Sequence, residues 1–456
     1  MRTLIDHAWV LTMDASDTVY EDGYVLLDND KITEIGADPC PYVTRDESNS
    51  RHVDSLIPEE RDIHYIDAHS SILMPGMINT HCHVSMIPFR TMGDDCPDRL
   101  RRFLFPLEEI AMTPELVYWG ALYGIAEMLL SGTTTFLDMY YFEDQVAEAC
   151  ALAGIRAFPG ETVIGQKTCD SPLPHGGLEY GEEFIRKWKS HPLISPLIAP
   201  HATNTCDPVF LKKAYDLACK YDTLYTLHNS EMDYELKHFS ENYGMTPTEF
   251  LDHLGVLSQQ TLLAHCIHMT EHDLSLVAAR GAAISHCIGS NTKAGKGVAP
   301  VKEMAALGIP VSLGTDGPSS GNTLSLLTQF RLFASFHKTT NHDRGLFPAR
   351  KIVRLGTMGG ARALGIAEQT GSIEAGKQAD LVLIERDAVN MFPCYNPFSA
   401  LVYSAERANV DRVWVAGKEL VCHGKLTSLN LSDIRENLLG HMDDFMEKAK
   451  MFSDMI

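Results

Sequence analysis

His81-Cys82-His83 sets two imidazoles at i and i+2, the spacing that turns both side chains to one side of an extended strand and lets them share an ion. His228 and Asp316 close two later apolar runs and would add a nitrogen and an oxygen to that pair. Three His and one Asp suit Zn2+, and N/O ligation also admits Fe2+, Mn2+ or Co2+. A solvent-derived ligand would complete a catalytic site. Glu231 follows in His228-Asn229-Ser230-Glu231, where a turn after the strand could carry its carboxylate to a substrate rather than to the metal. An activated water needs a proton acceptor, and a heterocycle losing ammonia needs ring protonation. One carboxylate can move the proton between them, which makes Glu231 a candidate shuttle; a surface acid at a helix N-terminus is the plainer alternative.

Such residues need a frame that brings distant strand ends together. Eight short apolar runs alternate with helical periodicity: Ile72 to Thr80, Thr133 to Met139, Ile155 to Pro159, Ile194 to Pro200, Thr223 to His228, Thr261 to Ala264, Ala282 to Ser285 and Pro310 to Gly314. Thr113 to Leu130, Phe142 to Ala153, Asp207 to Lys220, Glu271 to Arg280 and Pro300 to Leu307 supply helices between them. The pattern predicts an α/β fold built on a (β/α)8 TIM-like barrel. His83, Asp138, His201, His228, His265, His286 and Asp316 all fall at or just beyond the C-terminal ends of these runs, where this fold carries its chemistry. The stretch Asn79 to Leu107, with Gly93-Asp94-Asp95-Cys96-Pro97-Asp98, is long for a βα connection and is expected to cover the site.

Short strands with Asp/Asn/Gly turns at both chain ends predict a small antiparallel sheet, expected to join as one β-sandwich domain from residues 1–70 and 366–430. The barrel would then occupy 71–365. A C-terminal helical extension over 431–456 is amphipathic through Ile434, Leu438, Met442 and Phe445, and is read as packing on the body or on a second subunit.

The formal charge of −22 makes a poor start for binding a nucleic-acid backbone. No stretch of about 18 apolar residues is present for a membrane span, and the N-terminus has no signal-peptide pattern, so a cytoplasmic protein is expected. Eleven cysteines over 456 residues are too sparse for a disulfide framework. Cys82, Cys266 and Cys287 each follow a histidine, but adjacent strand residues face opposite ways, so they are read as packing residues rather than ligands.

With these residues in place, the sequence resembles the amidohydrolase superfamily, in particular its adenosylhomocysteine/methylthioadenosine deaminase and chlorohydrolase-like branch. The marks run through most of the chain: Pro75-Gly76-Met77-Ile78-Asn79-Thr80-His81-Cys82-His83, Ser131-Gly132-Thr133-Thr134-Thr135, Ala199-Pro200-His201, Ala264-His265-Cys266, Gly314-Thr315-Asp316-Gly317 and Ala375-Gly376-Lys377-Gln378-Ala379-Asp380. The resemblance implies that His81, His83, His228 and Asp316 hold one divalent metal ion and that Glu231 shuttles protons. It implies that His265 orients the attacking water, that Asp316 also accepts its proton, and that hydroxide attack on an amidine-like carbon leads to loss of ammonia. Glu108 in Phe105-Pro106-Leu107-Glu108 would grip ribose hydroxyls, His201 would contact the substrate, and His286 would lie at the pocket rim. Relatives of this kind are often homo-oligomers.

The implied reaction is deamination of a small aminated heterocycle, with an adenosine derivative such as S-adenosylhomocysteine or methylthioadenosine as the leading substrate. Departures from the pattern keep others in view: Cys287-Ile288 stands where Asn-Pro is common, Arg101-Arg102-Phe103 where a tryptophan segment is common, and Phe158-Pro159-Gly160-Glu161 lacks an expected arginine. Guanine, 8-oxoguanine, pterin and s-triazine amino- or chlorohydrolysis remain alternatives. A metal-stabilised assembly protein is the non-enzymatic one.

Overall fold

The computed structural model describes residues 1–44, 55–56 and 62–455. From the N-terminus come β1 (Arg2–Leu11), β2 (Val19–Asp28), β3 (Lys31–Ala37), β4 (Val43–Thr44), β5 (Ser55–Leu56), β6 (His64–Asp67) and β7 (Ile72–Pro75). Next follow β8 (Met77–Cys82), β9 (Thr133–Tyr140), β10 (Arg156–Val163), β11 (Leu197–Pro200), β12 (Tyr225–Asn229), β13 (Thr261–His265), β14 (Ala283–His286) and β15 (Val311–Leu313). The chain ends with β16 (Leu381–Ile384), β17 (Val410–Val415), β18 (Lys418–Cys422), β19 (Lys425–Leu426) and a helix, Leu431–Ala449.

β8 to β15 lie side by side in chain order and run parallel, the expected barrel. Side chains tie its last strand to its first. Thr80 Oγ1 lies 2.7 Å from both Ser285 Oγ and Ser312 Oγ, and Asn79 Nδ2 donates to Thr315 Oγ1 at 2.7 Å. The Asp316 N–H donates to the His81 carbonyl at 3.0 Å. These polar groups are fully or almost fully buried, so each must find a partner inside, and the seam supplies it.

The run expected as one strand, Ile72 to Thr80, is two. Gly76 breaks it: its N–H donates to Asp380 O at 2.9 Å in the small sheet, and the Met77 N–H donates to Gly132 O at 3.0 Å in the barrel. A Cβ at Gly76 would come within 2.2 Å of the Thr134 side chain, so only glycine lets the backbone pass there.

The two chain ends do join. The small sheet runs β19-β18-β17-β16-β7-β1-β2-β3, with β6 also on β1, and β7 pairs antiparallel with β16. It is mixed rather than wholly antiparallel, because β6 and β7 run parallel to β1. The β1-β2-β3 meander occupies one side of β1, and the chain crosses over before returning on the other side. Alternation then splits two cores. Leu73, Leu381 and Leu383 pack with Ile5, Val25 and Trp414, whereas Ile72, Met74, Val382 and Ile384 join the core of the barrel layer.

One buried ion pair crosses from barrel to small sheet. Arg156 Nε donates to Asp380 Oδ2 at 3.0 Å, and Asp380 Oδ1 accepts the Ala416 N–H at 2.7 Å. Arg156→Met leaves that carboxylate buried without its cation, and urea unfolding is expected to show a loss of about 3–5 kcal/mol. A loss below about 1 kcal/mol would mean that the pair acts like an exposed one.

The C-terminal helix packs on the body: Ile434, Leu438 and Phe445 are buried, and the Phe445 ring meets Phe89 at 4.9 Å between centroids. Phe452 meets Phe103 at 5.9 Å. Both contacts fall on the 79–107 stretch, which is therefore braced from behind. No helix among the described residues is long and apolar enough to cross a membrane.

Candidate metal centre and active site

The barrel order brings His81 (β8), His83 (just past β8), His228 (β12), His265 (β13) and Asp316 (just past β15) to one end. Ligand atoms of His81, His228 and His265 lie within 4.8 Å of one another, as do those of His81, His83 and Asp316, and those of Glu231, His265 and Asp316. His228 Nε2 is 3.1 Å from His81 Nε2. Asp316 Oδ1 is 3.2 Å from His83 Nε2 and 4.0 Å from His81 Nε2.

Backbone carbonyls set the tautomers. His83 Nδ1 lies 2.5 Å from Met139 O, and His228 Nδ1 lies 2.6 Å from His201 O, so these nitrogens carry the hydrogen and Nε2 of each ring presents a lone pair. Burial, reinforced by the neighbouring imidazoles, holds His228 well below the usual histidine range and hence neutral. Lone pairs 3.1 Å apart repel unless a proton or cation lies between them, and three imidazoles with one carboxylate are a donor set that fits Zn2+. The residues gathered here form a divalent-metal site.

Beside this group, Glu231 Oε1 is 3.6 Å from His265 Nε2, and His265 Nδ1 is 2.8 Å from Asn291 Oδ1. Lys296 Nζ donates to Glu231 Oε1 at 2.5 Å. Burial would raise the Glu231 carboxyl, yet His265 and Lys296 hold it below the ordinary value. Four non-glycine residues here have left-handed backbone: Ser230 (φ 49°), His265 (φ 69°), Cys266 (φ 51°) and Asp316 (φ 60°). Such strain persists only where the surroundings enforce it, and it clusters at functional sites.

A cavity of about 420 Å³ opens over these groups and is lined by Glu108 and His201 as well as by Asp94 to Leu100 of the long stretch expected to cover it. Glu108 Oε1 accepts the Tyr140 hydroxyl at 3.0 Å; burial lifts its carboxyl to about 7 against the opposing pull of that bond. His201 Nδ1 is 2.9 Å from Thr205 Oγ1, and burial with the nearby His83 lowers the ring to about 4, so it is neutral at pH 7. His286, expected at the rim, lies beneath it instead. It is fully buried, its Nε2 3.0 Å from His337 Nε2, because helix Leu326–Thr340 packs over the end of β14. A larger cavity, of about 590 Å³, lies elsewhere and shares no lining residue with this one.

Several supporting residues escaped the sequence reading. Asn291, Lys296 and Tyr140 each hold a predicted site residue, and Arg99 is pinned to Met92 O and Ser319 O at 2.9 and 2.8 Å beside the cavity. Gly295 and Gly297 on either side of Lys296 were the only local signal for its unusual placement. The buried thiols behave as expected. Cys82 Sγ turns away from the metal site and donates to Asp138 Oδ1 at 3.1 Å, while the same carboxylate oxygen accepts the Val84 N–H at 2.7 Å and so anchors the backbone on both sides of His83.

Comparison with known proteins agrees with this geometry. The family model described as "Amidohydrolase family" matches residues 72–420. A 5-methylthioadenosine/S-adenosylhomocysteine deaminase of Syntrophobacter fumaroxidans is 34% identical over 442 residues, covering 95% of this chain and 96% of that protein. A 5'-deoxyadenosine deaminase of Methanosarcina barkeri is 34% identical over 438 residues, again covering 95% and 96%. The crystal structure of an adenosine deaminase from Xanthomonas campestris with bound zinc superposes with a TM-score of 0.89 at 30% identity, over 98% of each chain. With a barrel whose metal-site residues all fall inside the matched region, this chain belongs to the amidohydrolase family.

Proposed function

We propose that the protein is a metal-dependent hydrolytic deaminase of an adenosine derivative such as S-adenosylhomocysteine or 5-methylthioadenosine. The observation that carries this is the convergence of His81, His83, His228 and Asp316 with Glu231 and His265 beneath one cavity, in a chain similar along its length to deaminases of that class. His81, His83, His228 and Asp316 are the proposed ligands. They would hold a divalent cation, whose chemistry would be to make a water acidic enough to serve as nucleophile near neutral pH. His265, its Nδ1 fixed by Asn291 and its ring beside His81 and His228, would orient that water. Asp316 accepts the water's proton. Glu231 would carry one proton of that water to the ring nitrogen, which makes the adjoining carbon electrophilic, and the other, taken up by Asp316, would pass to the exocyclic nitrogen so that ammonia leaves as the carbonyl forms.

Glu108 is assigned to the ribose hydroxyls and His201 to the base. His286 supports β14 from behind in this reading and touches no substrate. The acidic balance of −22 supports a free small molecule as substrate rather than a nucleic acid, and we propose a cytoplasmic homo-oligomer.

Ammonia release from the zinc-loaded protein across S-adenosylhomocysteine, 5-methylthioadenosine, adenosine, guanine, 8-oxoguanine, a pterin and aminotriazines tests the assignment, with chloride followed for chlorotriazines. Adenosine derivatives are expected to lead. Glu108→Gln should then raise KM about 10–100-fold, the worth of a charge-assisted hydrogen bond. Glu108 titrates at about 7, is protonated below that and accepts more strongly once ionised, so KM should fall from pH 6 to 8 in the parent and stay flat in the variant. Release from free bases, pterins or triazines alone would overturn the substrate while keeping the metal chemistry. Metal binding with no turnover on any of them would favour an assembly protein.

A further inference from the structure

We infer that Lys296 is a positioning residue for the proton shuttle: its ammonium fixes Glu231 Oε1 and leaves Oε2 as the oxygen that exchanges protons with the substrate. The inference rests on the reading of Glu231 as the shuttle. Lys296 Nζ lies 2.5 Å from Oε1, and the same oxygen faces His265 Nε2 at 3.6 Å. The side chains of Lys296 and Glu231 are only 20% and 14% exposed, so water screens the pair weakly. A carboxylate turns freely about its last torsion unless something holds one oxygen.

The backbone around Lys296 is built for this placement. Gly295 and Gly297 take φ of 66° and 123°, values that side chains resist, and the Lys296 N–H donates to Asn291 O at 2.9 Å. Asn291 in turn holds His265, and Lys293 pairs with Asp94 of the covering stretch at 2.7 Å. One short segment after β14 therefore grips Glu231, His265 and the cover above them. A further carboxylate lies behind the pair: Glu235 Oε2 accepts the Glu231 N–H at 3.4 Å and so fixes the backbone that carries the shuttle.

The test compares Lys296→Met, Lys296→Gln and Lys296→Arg with Glu231→Gln in the zinc-loaded full chain, on whichever substrate of the panel releases ammonia. Lys296→Met and Lys296→Gln should lower kcat about 10–100-fold, the usual loss when a supporting hydrogen-bond partner is removed. KM and zinc content should stay near parental values, and the solvent deuterium isotope effect on kcat should grow as proton transfer becomes limiting. Lys296→Arg still donates to Oε1 and should recover most of the loss. Near-parental kcat in both neutral variants, or an arginine variant as impaired as methionine with an unchanged isotope effect, would overturn the inference. If that happens while Glu231→Gln is inactive, the shuttle reading stands alone. An active Glu231→Gln overturns both.

Discussion

Glu231→Gln is expected to lower kcat by about 10²–10⁴-fold, the range that positioned general acid–base catalysis supplies, with zinc still bound. The substitution keeps the volume of the side chain and an oxygen that can accept from Lys296. It removes the ability to take up and release a proton, together with the negative charge that faces Lys296. Because the proposed ligands are His81, His83, His228 and Asp316, metal content measured by atomic absorption should match the parent. An active Gln variant would move the proton transfer to another group, with Asp316 and His265 both within 4.8 Å as candidates. An inactive variant that has also lost zinc would make Glu231 a ligand, which its atoms' distance of up to 4.8 Å from those of Asp316 and His265 allows geometrically.

The second large effect concerns the cation itself. Stripping the protein with a chelator should abolish ammonia release and lower the melting temperature, and zinc returned in stoichiometric amount should restore both. At a zinc concentration a thousandfold above Kd the linkage contributes about 4 kcal/mol to stability. The metal-free site explains the direction: it collects buried imidazoles whose charges burial disfavours, with the Nε2 atoms of His81 and His228 only 3.1 Å apart. Asp316→Asn should resist restoration, because the amide keeps an oxygen but loses the charge that offsets the cation's. Full activity after exhaustive chelation, with zinc absent by direct assay, would remove the metal from the mechanism.

The sequence carried the barrel because each strand is short, apolar and capped by a polar residue with chemistry, and that pattern survives without tertiary information. It carried His81 and His83 because their spacing is local. It could not carry Lys296 or Asn291, whose partners lie 65 and 26 residues away and whose placement depends on backbone turns rather than residue periodicity. His286 misled for a related reason. It ends a strand as its neighbours do, but a helix from a later part of the chain lies over it, and nothing in Ser285-His286 announces His337. The break at Gly76 was hidden because the residues on both sides are apolar and extended; only the identity of their pairing partners changes there.

The seam between the first and last barrel strands has a consequence for biosynthesis. Asn79 and Thr315 meet across 236 positions, and the proposed ligands straddle the same gap. A chain emerging from the ribosome exposes His81 and His83 long before Asp316 exists, so neither ring closure nor a complete cation site can form until most of the polypeptide has been made. Contacts of such long sequence separation form late and slowly. A chain truncated before β15 would hold an open parallel sheet with two unpaired edges, a template for aggregation rather than a smaller working protein.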